Sequence, residues 1–172
     1  ASGLGQFPII IGGIVVASNI EGVGPGVLRL SGPVLADIFL GRITSWSDPA
    51  VAALNPGLTV PAAAITVIHR SDGSGTTFDF TDYLSKVSPE WRSRVGSGLL
   101  VPWPTGSAAS GNEPLAREIR RVRNSIGYVE YAQARQLGLS DALLQNRAGR
   151  FVRPQPSTFQ AAAAGANWRP EA

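Results

Sequence analysis

The chain has 172 residues, with no cysteine, no methionine, one lysine (Lys86) and one histidine (His69). The missing cysteine excludes disulfides, thiolate metal sites and cysteine nucleophiles in one step. A lone histidine leaves too few ligands for a zinc site, so no metal and no cofactor are expected. A sequence that opens at Ala1 and lacks methionine is not expected to be a primary translation product: a leader or larger upstream piece has been removed, or the chain was trimmed. No stretch reaches the ~20 apolar residues that span a bilayer, and the longest run, 7–17, is broken by Gly12 and Gly13.

Positive charge is present but thinly spread. The formal net charge of +3 comes mostly from arginine. Only Arg117, Arg120, Arg121 and Arg123 cluster, and helix C-termini collect arginine for dipole reasons, so no nucleic-acid partner is expected. At 44% hydrophobic and 16% charged residues, the composition is that of one globular domain.

Short strands and helices alternate along the chain. The β-branched, apolar run 7–17 reads as a central strand bent at its glycine pair, and 65–68 and 126–129 read as further strands. Ser31 and Gly41 bracket a short helix; Asp48-Pro49, Ser88-Pro89 and Asn112-Glu113-Pro114 each open another in the cap-plus-proline manner. Residues 101–111 read as a loop, 131–137 as a helix closing at Gly138, 143–152 as a hairpin, and Ser157 as the start of an alanine-rich helix ending near Gly165. The class is α/β, a mixed, mostly parallel sheet with helices on both faces.

The segment with chemical content is Arg70-Ser71-Asp72-Gly73-Ser74-Gly75-Thr76-Thr77, between a strand and a helix. Free helix N–H groups and the positive dipole end converge at such turns. Gly73 and Gly75 let the backbone approach an anion, Ser74, Thr76 and Thr77 offer hydroxyls, and Arg70 offers a charged fork. Asp72 would repel a dianion unless paired, so its expected role is to orient the Arg70 guanidinium. Glycine and serine are also ordinary turn residues, and the segment alone leaves a plain turn equally open. The segment lacks the lysine of a P-loop, the Gly-x-Ser-x-Gly spacing of a nucleophile elbow, and the terminal glutamate of a calcium loop. Strand alternation turns His69 away from Arg70, which leaves Ser74 without a general base and makes a hydrolase the weakest reading.

Residues 35–49, 55–58 and above all 65–95, together with Gln6-Phe7-Pro8, 126–131 and 162–168 in order, resemble the phosphate-binding proteins of the high-affinity phosphate ABC transporter, the Pst system. These are type II periplasmic binding proteins, and the resemblance runs over essentially the whole chain. It implies an extracytoplasmic or periplasmic receptor without catalytic groups, with Arg70, Ser74, Gly75 and Thr76 as direct ligands of inorganic phosphate and Asp72 as the partner of Arg70. Gly73 and Thr77 join them as supporting residues on loop geometry. The implied partners are the transporter's membrane permease and a first lobe on another segment or chain.

Two departures qualify the resemblance. Only the second of the family's two lobes is expected: residues 1–155 form the phosphate-binding lobe, and 156–172 a C-terminal helix and tail returning toward the missing lobe. That lobe would supply the aspartate that selects phosphate over sulfate. Residues 106–112 also lack the family's Gly-Gly-Lys-Gly-Asn pattern, and Asn112 reads first as a helix cap. An alternative is a half-receptor that completes its cleft by association with another chain or itself, binding phosphate weakly or not at all alone.

Overall fold

Strand alternation sets the architecture. In strand β1 (Ile14–Asn19), Val16 faces one apolar cluster while Val15 and Ala17 face a second. Two further strands divide the same way. Val67 and Ile68 of β3 go to opposite clusters, as do Tyr128 and Val129 of β5. The computed structural model describes residues 12–166, so the part of the 7–17 run before Gly12, the Gln6-Phe7-Pro8 motif and the tail after Ala166 lie outside the described residues.

After β1 come β2 (Arg29–Leu30), α1 (Gly32–Phe39), α2 (Pro49–Leu54), β3 (Thr66–Arg70), α3 (Gly75–Val87), α4 (Pro89–Arg94) and β4 (Ser107–Ala109). Then follow α5 (Asn112–Arg121), β5 (Ser125–Glu130), α6 (Tyr131–Leu137), β6 (Ser140–Asp141), β7 (Leu143–Gln145), β8 (Phe151–Val152) and α7 (Pro156–Ala164). The main sheet has the order β4-β3-β5-β1-β6, and a small sheet has the order β2-β7-β8. Helices cover both faces, as expected: α1, α3 and α4 bury Phe39, Leu84 and Trp91 in one cluster, and α5 and α6 bury Leu115, Ile119 and Ala134 in the other.

The sheet is evenly mixed, where a mostly parallel one was expected. The β4–β3 and β3–β5 pairs are parallel, and the β5–β1 and β1–β6 pairs antiparallel. Apolar runs report burial on both faces of a strand and carry no information on its direction.

Local chemistry accounts for most boundaries. Ser31, Asp48 and Ser88 accept hydrogen bonds from the N–H groups of Val34, Ala50 and Trp91 and so cap α1, α2 and α4. Gly138 stops α6 in the left-handed region at φ 64°. The hairpin forms with Leu144 opposite Val152. Two readings are corrected. Residues 101–111 contain β4, which lies parallel to β3; Gly106, at φ 113°, permits the close approach just before it, since a Cβ there would come within 2.6 Å of the Val67 carbonyl oxygen. Asn112 is not a cap: Gly111 precedes α5 without a side-chain cap bond, and Asn112 is the first helical residue with its side chain spent elsewhere.

Packing is anchored by two fully buried tryptophans whose indole N–H groups are satisfied. Trp46 Nε1 donates to the Asn124 carbonyl at 3.1 Å and Trp91 Nε1 to the Gly96 carbonyl at 2.8 Å.

Candidate anion site at the edge of the parallel strands

Three parallel strands finish at one edge of the sheet. Arg70 closes β3 opposite Ala109, which closes β4, and Glu130 closes β5, whose Ile126 lies opposite Val67. The residues after each end, including the starts of α3 and α5, are thereby gathered at one place. β1 runs against β5 with Ile14 opposite Glu130, so Gly12 and Gly13 arrive at the same edge.

The turn into α3 is built from donors. Ser74 takes an extended conformation at the N-cap, its Oγ accepts from Thr77 N at 3.3 Å, and its own N–H goes to the Leu99 carbonyl at 2.9 Å. Among the described residues nothing accepts from the Gly75 and Thr76 N–H groups, which open a helix of thirteen residues. Behind them Thr77 Oγ1 and the Tyr128 hydroxyl share a hydrogen bond of 2.7 Å, and that hydroxyl accepts the Arg70 backbone N–H at 3.2 Å.

Arg70 is buried, with 6% of its surface exposed, and its guanidinium is fixed on three nitrogens. Nε donates to Asp72 Oδ1 at 2.6 Å, Nη2 to Asp72 Oδ2 at 2.5 Å, and Nη1 to Asn112 Oδ1. Asp72 Oδ1 also accepts from Gly111 N at 3.0 Å. The bidentate guanidinium and this amide hold the Asp72 carboxyl well below the usual carboxylate range, and the same carboxylate raises Arg70. The pair is charged at neutral pH, and Arg70 keeps one further N–H on each Nη for a ligand.

Arg70, Gly73, Ser74, Gly75 and Thr76 line one open cavity of about 460 Å³. Asp72 and Thr77 are not among its lining residues: Asp72 is bonded to Arg70, and Thr77 to Ser74 and Tyr128. His69 is a structural residue: its ring stacks on Trp103 at 4.9 Å, its Nδ1 meets the Arg70 carbonyl at 3.2 Å, and burial lowers its pKa. Among the hydrogen bonds of the described residues none joins His69 to Ser74.

Four residues of the site escaped the motif. Asn112, Glu130 and Asp79 also line the cavity, and Trp103 Nε1 donates to the Arg70 carbonyl at 3.1 Å. Asn112 Nδ2 donates to Glu130 Oε1 at 2.9 Å, and the Thr76 hydroxyl lies 3.5 Å from the same oxygen. Burial and the nearby Asp82 raise the Asp79 carboxyl. Glu130 could have been found from its place at the end of the apolar strand begun at 126–129, whereas no such signal marks Asn112, because Ser107-Ala108-Ala109 is a short, largely exposed strand that reads as loop.

The model of the family described as "PBP superfamily domain" matches residues 1–167. The phosphate-binding protein PstS of Pasteurella multocida is 57% identical over 163 residues, which are 95% of this chain and 47% of that protein. Its counterpart in Haemophilus influenzae is 54% identical over 97% of this chain and 50% of its own length. The chain thus spans about half the length of the curated relatives it matches. A crystal structure of a DING protein superposes with a TM-score of 0.68 at 20% identity, over 92% of this chain and 46% of that one, which shows a shared fold. With an α/β fold of the expected class and a family match across nearly its whole length, the chain belongs to the PBP superfamily.

Proposed function

We propose that this chain binds inorganic phosphate as part of the extracytoplasmic solute receptor of a phosphate ABC importer. Arg70, Ser74, Gly75 and Thr76 are the direct ligands; Asp72, Gly73 and Thr77 hold them in place. The observation that carries this reading is the convergence of a fixed, buried guanidinium, two unused helix N–H groups and two hydroxyls on one cavity. The names of the relatives from Pasteurella multocida and Haemophilus influenzae support phosphate as the anion. Every ligand is a donor, as capture of an intact oxyanion requires; Ser74 Oγ is committed to the helix cap rather than to a base.

In this reading residues 1–155 are one lobe, the cavity's open side is covered by a first lobe on another segment or chain, and 156–172 lead back toward it. The receptor then delivers phosphate to the membrane permease. With one lobe, half of the anion faces water, where charge-assisted bonds weaken. Calorimetric titration of the chain tests the reading. A saturable heat with phosphate, at a dissociation constant on the order of 1 mM, is expected, and Arg70→Ala should remove it. No heat from the unsubstituted chain at about 10 mM phosphate overturns it.

A further inference from the structure

We propose that Glu130 is a positioning residue for the anion site: acting through the Asn112 amide, it fixes the third side of the Arg70 guanidinium. An ionised carboxylate only accepts, a guanidinium only donates, and an amide does one at each end. Asn112 stands between the other two, its Nδ2 on Glu130 Oε1 at 2.9 Å and its Oδ1 on Arg70 Nη1. Glu130 therefore dictates which way the amide faces. Only with Nδ2 on the carboxylate does Oδ1 meet Arg70; the flipped amide would set two donors against each other and two acceptors against each other.

The consequence reaches the ligand without touching it. Asp72 secures Nε and Nη2 of Arg70, leaving Nη1 as the one nitrogen it does not hold. Asn112 takes one N–H of Nη1 and so aims the other at the cavity. A guanidinium held on three nitrogens arrives pre-oriented, and the ordering cost is met before the anion binds. The chain of contacts joins three strand ends, because Asn112 follows β4, Arg70 closes β3 and Glu130 closes β5. The Glu130–Asn112 link is thus a second tie across the sheet edge, independent of the Arg70–Asp72 pair.

The proposal rests on the phosphate reading for its affinity readout, and a second readout needs no ligand. Glu130→Gln, Asn112→Asp and the double variant are compared by phosphate calorimetry, by thermal melting and, in the free protein, by nitrogen NMR of the Arg70 Nε–H and the side-chain amide at 112. Glu130→Gln frees the amide to flip, and Asn112→Asp sets two carboxylates together. Each should weaken phosphate binding roughly five- to tenfold and speed Arg70 Nε–H exchange, at the scale of one ordinary net hydrogen bond. The double variant exchanges the two groups: the amide now at position 130 donates and the carboxylate now at position 112 accepts, so the polarity toward Arg70 is restored at the same net charge. Affinity should return to within about threefold of the starting chain, and slow exchange with it, the coupling expected of groups that act as one unit.

Single variants with unchanged affinity and unchanged Arg70 exchange overturn the proposal. So does a double variant whose losses simply add, since a merely structural role gives additivity and no rescue. If the starting chain binds no phosphate, the phosphate reading fails; the NMR comparison then still decides whether Glu130 orients Arg70.

Discussion

The turn between β3 and α3 and the helix α7 are both strings of small and polar residues, yet they are held in opposite ways. At the turn, Arg70, Ser74, Thr76 and Thr77 are all buried, and Trp103 and Tyr128 stack behind them at 5.6 Å. In α7 no residue is buried. Gln155 and Thr158 form a capping box at its start, and Phe159 meets the Tyr131 ring edge-on at 5.2 Å. The turn inherits its geometry from the core, whereas α7 is exposed along its length and meets the core chiefly through the half-buried Phe159 ring. Binding geometry is precise where polar groups are bonded to the sheet, and local opening is cheap where few apolar contacts must break.

Several substitutions would break or sharpen that contrast. The largest effect is expected for Trp91→Ala, which empties a fully buried site beneath α3 and should cost about 3–5 kcal/mol in urea unfolding, taking turn and fold together. Next, Tyr128→Phe removes the hydroxyl that serves both Thr77 Oγ1 and the Arg70 N–H. A loss of about 1–3 kcal/mol and weaker phosphate binding are expected, read by unfolding and calorimetry. Phe159→Ala should cost only about 1 kcal/mol, accelerate amide exchange in 156–164, and leave phosphate affinity unchanged. An equal loss of affinity in that variant would erase the distinction between the two regions.

The smallest expected effect is the response to pH. Burial depresses the pKa of His69, so the unfolded chain takes up the proton first. The stability tied to neutral His69 is complete above the unfolded value near 6.5 and is lost as pH falls through the lowered folded value. Asp72 acts later in the same direction. Its depressed pKa means that the ion pair's contribution is present above the ordinary carboxylate range and disappears on further acidification through the folded value. The segment of α7, PSTFQAAAA, carries no titratable side chain. The urea midpoint should therefore drop below pH 6.5 while the local opening of α7 measured by hydrogen exchange, corrected for the intrinsic rate, stays level.

Sequence reasoning reads this molecule well where one residue type has one physical job. Ser31, Asp48 and Ser88 are caps in the chain and in the fold, and Gly138 ends its helix as its freedom at positive φ suggests. The donors of 70–77 were legible because strand, glycines, hydroxyls and arginine are contiguous. Asn112 and Glu130 lie far along the chain from Arg70, and only strand pairing brings them to it. Asn112 also fitted a local rule, a polar residue shortly before a helix-opening proline, that a tertiary arrangement overrode: its amide bridges Arg70 and Glu130 instead of capping α5. Strand direction was invisible for β1, whose apolar side chains would suit either orientation.

The cavity rim has a practical use. Among the described residues a Cβ added at Gly12 would meet nothing within 4 Å, whereas one at Gly13 would run into the Phe159 ring. Because the chain has no cysteine of its own, Gly12→Cys would give a single attachment point for an environment-sensitive dye at the lip of the anion site. The same position that brings the backbone past the cavity would then make the proposed occupancy of that cavity optically visible.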